Sequence, residues 1–262
     1  MRNHWIVIAL IVCVFANTTG EFVIAGILPA IADDLRVSIS DAGLLVTAYA
    51  IGMIVGGPLL TALTVRFARK PLIVWLLAIA AIGNVASAAA PNYAALFTAR
   101  IFTSLVTSTF FANAVVIAAS TAPAGKQAST VSKLAFGMNL SMILGAPIGT
   151  FIGNHAGWRA TFLAIALCGA VGWLLVVRLV PNLPRESSRT SVWTEWRVFR
   201  SPDVLLAVAV TAVGNAGALA FFTYLSPLLT GVSGFGEEAV APLLLAYGVG
   251  ATIGNFVGGR LS

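Results

Sequence analysis

Two charged residues stand inside long apolar segments, where a charge is costly and therefore informative. Glu21 lies in the first such segment and Arg100 in a later one. An acidic residue such as Asp at the centre of a membrane helix costs about 2.5–3.5 kcal/mol, so Glu21 is expected to face a water-filled pathway. Low dielectric favours the neutral form of a carboxyl group. Glu21 is therefore a candidate to bind and release a proton, and Asn17, four residues earlier, would share its helix face.

Each of the two charged residues also has a structural interpretation. Glu21 could be protonated, hydrogen bonded between helices and inert. Arg100 lies about two turns from one end of its segment, so its side chain could extend to the membrane surface. Either interpretation would leave no role for the residue in transport.

Other polar or aromatic residues occur within the apolar segments and could line a cavity. Each of them could equally form a helix–helix hydrogen bond or an interfacial anchor. These cavity candidates are Asn17, Tyr49, Phe111, Asn113, Asn139, Asn215 and Tyr224.

Metal, ATP and enzyme chemistry have no support in the sequence. His4 and His155 stand at segment ends and are not spaced as metal ligands. The sequence contains no P-loop for ATP and no nucleophile paired with a base. The chain is therefore predicted to be neither an enzyme nor an ATPase, and to need no metal or other cofactor.

The composition indicates that lipid is the solvent for much of the chain. Charged residues make up 9% of the 262 positions and apolar residues 59%, with a mean hydropathy of +0.96. Soluble domains carry about 25% charged residues. Segments of about 20 apolar residues can cross a bilayer. Eight are predicted: Trp5–Ala30, Ala42–Val65, Pro71–Ala89, Tyr93–Ala119, Val131–Gly153, Trp158–Val180, Val204–Leu229 and Val240–Leu261.

The basic residues predict the orientation of these spans. Most of the 15 Lys and Arg fall on one side, which is the cytoplasm if the N-terminus is inside. The connections on the other side carry Arg36 and Arg159. A multi-pass protein of the bacterial inner membrane with a cytoplasmic N-terminus is therefore predicted. Since the basic residues follow topology, the net charge of +6 does not indicate nucleic-acid binding.

An internal repeat relates the first two spans to the last two. One constant interval separates Asn17 from Asn215, Pro29 from Pro227 and Tyr49 from Tyr247. Parallel repeats of this kind occur in transporters. The repeat predicts a six-helix bundle over residues 1–180, a cytoplasmic linker over 181–203 and two helices of a second bundle over 204–262. Four further helices are then expected to be missing, and the 262-residue chain alone is expected not to transport.

Several motifs, in this order, resemble the major facilitator superfamily, in particular its twelve-span drug:proton antiporters such as the bacterial chloramphenicol-resistance and sugar-efflux exporters. They are TGEFVIAGILPAIADDL from Thr19, GAPIG from Gly145, GWRATF from Gly157 and FTYLSPLLT from Phe222. The resemblance implies an all-α membrane protein with the major facilitator fold. In this chain that fold would comprise the N-terminal six-helix bundle and the first two helices of the second.

The resemblance also assigns roles to residues. It implies proton coupling by Glu21 and Arg100. The fifth span carries the antiporter motif of Gly145, Pro147 and Gly149, which in the family packs against span eight, here with Gly250, Gly254 and Gly258. The loop after span two matches the basic part of the family's cytoplasmic gating motif, with Thr61 and Val65 at its glycine and aspartate positions. Its basic residues, which could also be simple anchors, are Arg66, Arg69 and Lys70.

The function implied is efflux of small amphipathic compounds or drugs such as chloramphenicol, driven by the proton gradient. The expected partners are membrane lipid, the small-molecule substrate and protons, without ATP or nucleic acid. An exporter of a sugar or nucleoside remains an alternative, as does a non-transporting fragment or scaffold.

Overall fold

The computed structural model of the chain describes residues 2–64, 66–182 and 201–261, and most of the predicted linker lies outside these ranges. In the described ranges the chain is helical, and α10 is a single turn. The helices are α1 (Arg2–Phe22), α2 (Ile24–Leu35), α3 (Ile39–Thr64), α4 (Arg69–Ala88), α5 (Tyr93–Ser120), α6 (Gln127–Leu140), α7 (Ala146–Ala156), α8 (Trp158–Leu179), α9 (Pro202–Thr223), α10 (Leu225–Pro227) and α11 (Glu237–Leu261).

Seven helices in the described ranges are long and apolar enough to cross a membrane. They correspond to the first seven predicted spans, with α6 and α7 together forming the fifth. The eighth predicted span lies within α11. The all-α membrane fold predicted from composition and segment length is confirmed.

Spans one, five and seven are interrupted helices, and each carries a proline. Span one breaks at Val23, between α1 and α2, and span seven breaks at Tyr224. A π-helical turn, Ser141–Gly145, lies between α6 and α7, and a second, Leu228–Val232, follows Pro227. Proline cannot donate its backbone amide and crowds the preceding turn, which favours the interruptions just before Pro147 and Pro227. The prolines of spans one and seven are the pair related by the sequence repeat.

A polar layer divides the core of the first six spans into two apolar clusters. One cluster includes Leu10, Ile73 and Phe110, and the other includes Ile27, Leu45 and Phe162. Between them in sequence, on α1, α4 and α5, lie residues that are polar and buried. We define this polar layer as Thr18, Thr19, Asn84, Arg100 and Ser104. Arg100 is the costly member of this layer, because ionisable residues inside membrane helices are rare and are functional candidates by default.

A cluster of polar contacts joins α2, α8 and the connection before α5 at the side predicted to be outside. Asp34 forms a salt bridge with Arg159 and accepts a hydrogen bond from the indole Nε1 of Trp158 at 3.0 Å. The Arg159 guanidinium also donates to the carbonyl of Ala90 at 3.1 Å and lies 4.2 Å from the centroid of the Trp158 ring. The hydrogen bonds from Arg159 and Trp158 hold the pKa of Asp34 below its usual value.

We predict that Asp34→Asn reduces the stability of the chain in detergent at pH 7 by at most about 1 kcal/mol, because both partners are partly exposed. A lowered pKa gives stability above the unfolded value of about 3.9, and this stability is lost as the pH falls through the folded value. The difference in melting temperature from wild type should therefore vanish in strong acid. Asp33→Asn is the control, since Asp33 is an exposed neighbour. Equal effects of the two variants at pH 7 would contradict the prediction.

Candidate functional site

Glu21 lies at the C-terminal end of α1, two residues before the helix break, and is half-buried. It lines a cavity with residues of α2 and α3 on one side and of α9 on the other. The lining residues are Glu21, Phe22, Ala25, Val46, Tyr49, Ala50, Leu219, Phe222 and Thr223. The cavity has a volume of about 90 Å³, several times the roughly 10–15 Å³ that one water needs. The carboxyl group of Glu21 is thus placed where water can reach it, between the two repeat units.

The walls of the Glu21 cavity are mainly apolar and aromatic. Phe22 and Phe222 pack edge to face, with ring centroids 5.7 Å apart, and Tyr247 stacks behind Phe222 at 5.2 Å. The hydroxyl groups on the lining are already engaged. Tyr49 is hydrogen bonded to Thr107 at 3.0 Å, and Thr223 donates to a backbone carbonyl of its own helix.

The carboxyl group of Glu21 is the polar group left available to the contents of this cavity. Among the residues that the structure describes, its side chain has no hydrogen-bond partner within the protein. A ligand or water in the cavity would therefore meet an uncommitted carboxyl group.

Arg100 is fully buried, and its three guanidinium nitrogens have no hydrogen-bond acceptor among the described residues. The guanidinium carbon lies 4.3 Å from the centroid of the Tyr49 ring and 5.6 Å from that of Phe162. Leaving a buried charge unpaired costs several kcal/mol, whereas a desolvated cation–π contact recovers about 2 kcal/mol. Arg100 does not extend to the membrane surface, so the snorkelling interpretation is wrong.

Arg100 and Glu21 are linked through Tyr49 and do not pair directly among the described residues. The guanidinium contacts the Tyr49 ring, and Tyr49 lines the cavity that contains Glu21. In the part of the chain that the structure describes, one salt bridge is present, and it joins Asp34 and Arg159 and does not involve Arg100 or Glu21. The two candidates for proton coupling are thus neighbours that are separated in this conformation.

Three further polar groups of the polar layer were not identified from the sequence. The Thr18 and Thr19 hydroxyls and the Asn84 side-chain carbonyl are buried without a partner in the described residues. The Asn84 oxygen lies 3.5 Å from the position that a Cβ on Gly20 would occupy, beside Glu21. Asn84 could have been found, since an asparagine inside a predicted span is a signal of the same kind as Asn17. Asn17 itself is buried and donates to the carbonyl of Cys13 at 2.9 Å.

Six of the seven predicted cavity residues do not line the Glu21 cavity: Asn17, described above, and five others. Phe111 packs against the apolar cluster around Phe110, and Asn139 is half-buried near the end of α6. Asn215 is exposed on α9 and donates to its own helix, while Tyr224 packs its hydroxyl against Gly43. The remaining residue, Asn113, contacts Arg69.

The side chains of Asn113 and Arg69 contact each other. The guanidinium of Arg69 donates to the Asn113 side-chain oxygen at 3.2 Å. Thirteen positions separate Asn113 from Arg100, which is roughly 20 Å along a helix. The other two basic residues of the predicted gating loop lie apart from this bond, with Arg66 exposed and Lys70 half-buried. A predicted cavity residue therefore belongs to the predicted cytoplasmic edge.

The glycines of the fifth span face span one. A Cβ on Gly145 would collide with Thr19, and one on Gly149 with Val23. Pro147 is buried in the first turn of α7, just after the π-helical turn. Glycine at these positions lets the two helices approach closely.

Span eight meets span five at Gly248, where a Cβ would lie 2.8 Å from the Met142 carbonyl oxygen. A Cβ on Gly250 or Gly254 would meet nothing within 4 Å. The side-chain environment of Gly258 lies outside the described residues. The expectation that Gly250 and Gly254 form the contact with span five is therefore wrong for this conformation.

Comparison with known proteins gives a family and a fold. Residues 10–262 match the family described as Major Facilitator Superfamily. The chain is 39% identical over 255 residues to the MFS-type transporter YtbD of Bacillus subtilis (strain 168), covering 97% of the chain and 64% of that protein. It is 34% identical over 256 residues to a chloramphenicol resistance protein of Streptomyces lividans, covering 97% of the chain and 65% of that protein.

Among solved structures, a bacterial homologue of the human lysosomal transporter Spinster, inward-facing and unoccupied, matches with a TM-score of 0.79 and 17% identity. That match covers 100% of the chain and 63% of the homologue. The chain therefore spans about 64% of the length of the curated relatives it matches.

We predict that Gly248→Ala weakens the contact between spans five and eight, because the added methyl group would press on backbone atoms that cannot move aside. The effect should be about 1–3 kcal/mol, as for other overpacked sites. Oxidative crosslinking of Asn154→Cys with Glu237→Cys reports on this contact, since the Asn154 side chain donates to the Glu237 carbonyl at 3.0 Å. Gly250→Ala is the matched control and should leave the crosslinking yield unchanged. A similar yield in the two variants would count against the prediction.

Proposed function

Because the chain belongs to the major facilitator superfamily, we propose that the whole protein exports small amphipathic compounds, of which chloramphenicol is an example, in exchange for protons. The observation that carries the proposal is the Glu21 carboxyl group, uncommitted in an apolar, aromatic cavity between the two repeat units. The chain itself is a multi-pass membrane protein of a family of transporters.

In the proposed exchange, Glu21 carries the proton. A carboxyl group in low dielectric is neutral until an opposite charge or water stabilises its anion. Arg100 supplies a permanent positive charge nearby, and the cavity supplies water, so the proton can leave without creating an isolated buried anion. Substrate entering the cavity displaces that water and changes the proton affinity of Glu21. Proton and substrate would then compete for one cavity, which is the requirement for exchange.

The chemistry of the cavity favours amphipathic substrates over sugars and nucleosides. A sugar requires several hydrogen-bonding groups, because each buried hydroxyl without a partner costs free energy. Here the hydroxyls of Tyr49 and Thr223 are already engaged. The aromatic faces of Phe22 and Phe222 instead offer contact to an apolar body. The similarity to a chloramphenicol resistance protein supports the same substrate class.

The cytoplasmic side of the proposed exporter is the side of Arg66, Arg69 and Lys70. The bond from Arg69 to Asn113 ties this loop to span four. We propose that this loop contributes to gating as well as anchoring, because its bond to span four would transmit movement of that span. The N-terminus then lies in the cytoplasm, and the Asp34–Arg159 pair lies at the outer surface of the bacterial inner membrane.

We predict that Glu21→Gln in the whole protein abolishes chloramphenicol movement driven by a pH gradient, because the amide cannot carry the exchanged proton. The measurement is chloramphenicol uptake into inverted membrane vesicles with an acidic lumen. Glu238→Gln, which changes an exposed acid at the start of α11, is the control and should transport as wild type does.

Size-exclusion chromatography should show that both variants are folded. Persistent pH-driven uptake in folded Glu21→Gln would refute the role of Glu21. Absence of chloramphenicol uptake in wild type would instead favour a different substrate or the non-transporting alternative.

A further inference from the structure

Arg100 is held in the bundle by aromatic faces where an ion pair would be expected. Tyr49 on α3 and Phe162 on α8 both contact the guanidinium, and both are buried, at 3% and 0% exposure. A buried arginine normally has acceptors for its five N–H groups. Here the described residues provide none. The positive charge is therefore stabilised by π-electron density from two different spans.

Each of the two rings has a further contact that restricts its movement. The Tyr49 hydroxyl is hydrogen bonded to Thr107, whose hydroxyl contacts the carbonyl of Thr103 at 3.0 Å. The Phe162 ring packs edge to face against Trp158, with centroids 6.0 Å apart and an angle of 88°. Since neither ring can turn away easily, the position of the guanidinium between them is defined.

Tyr49 also lines the cavity that contains Glu21. Tyr49 thus contacts both the cavity and Arg100. A direct, bidentate pair between Arg100 and Glu21 would hold the carboxylate in its charged form. A guanidinium held by rings instead acts on Glu21 through space and leaves the carboxyl group free to exchange its proton.

We propose that Tyr49 and Phe162 are positioning residues that form an aromatic clamp around Arg100, keeping its charge beside Glu21 but out of a direct ion pair. This inference rests on the proposed function for its consequence, because the clamp matters to transport only if Glu21 carries the proton. The clamp itself can be tested without transport.

The first test is a double-mutant cycle on the thermal unfolding of the purified chain in detergent. Tyr49→Leu should lower the melting temperature when Arg100 is present, and by no more than about half as much in the Arg100→Met background, because contacting residues are energetically coupled. Phe110→Leu is the control. Phe110 is a buried ring about 15 Å along the same helix as Arg100 and should cost the same in both backgrounds.

The result that would overturn the clamp is an equal loss from Tyr49→Leu in both backgrounds. If Tyr49→Leu fails to fold with Arg100 present, the clamp requires that adding Arg100→Met restores folding, and failure in both backgrounds counts against it. Phe162→Leu is carried through the same cycle and should give coupling of the same sign.

The second test measures positioning through the infrared band of the Glu21 carboxyl group, identified by its loss in Glu21→Gln. Charged or titratable groups that act on Glu21 in the described residues are Arg100 on span four and Tyr49 on span two, whereas α9 contributes the uncharged Leu219, Phe222 and Thr223. Tyr49→Phe keeps the ring face and should keep the titration midpoint of the band. Tyr49→Leu would let the guanidinium pair directly with Glu21, and should therefore lower the midpoint by about one pH unit, a tenfold change in proton affinity.

A midpoint that is the same in Tyr49→Phe and Tyr49→Leu would overturn the clamp as a positioning device. Failure of the proposed function gives a different pattern. If Glu21→Gln removes no titrating band while the double-mutant cycle still shows coupling, the clamp stands and Glu21 is not the proton carrier.

Discussion

A positive charge buried at the level of the lipid is the constraint to which the rest of this bundle is adapted. The Arg100 guanidinium can neither reach water nor find an acceptor among the described residues. In the described residues its stabilisation comes from the aromatic faces of Tyr49 and Phe162. The apolar clusters on either side of the polar layer keep the dielectric low, which strengthens both interactions. A low dielectric also makes the protonation of Glu21 sensitive to small changes in its surroundings.

The two repeat units meet at the side predicted to be outside. The contact there consists of a small apolar cluster that includes Ala25, Ala146, Phe222 and Leu244, together with the hydrogen bond from Asn154 to the Glu237 carbonyl. Toward the other end, residues 205–221 of α9 are exposed. The Glu21 cavity lies next to this contact, since Ala25 and Phe222 belong to both.

The helices that form these contacts are interrupted near the contact positions. Span one is interrupted next to Glu21, at Val23, and span five changes its hydrogen-bonding pattern at Ser141–Gly145, where it meets span one. The glycines of span five permit that approach, because any side chain at Gly145 would collide with Thr19. The break and the close contact together place the carboxyl group at the boundary between the units, where movement of one unit changes its environment.

The membrane class, the spans, the likeness between spans one and seven, and the two costly charges at Glu21 and Arg100 could all be predicted from the amino-acid sequence. These follow from hydropathy, length and residue type, which are local properties. Which side chains contact each other became clear from the packing of the helices. Asn113 pairs with Arg69 and lies far from the cavity, Gly248 makes the contact expected of Gly250, and Phe162, which carries no polar signal, contacts Arg100. Helices that are apolar on every side leave their rotation undetermined by any periodic pattern, so only packing between distant spans fixes these neighbours.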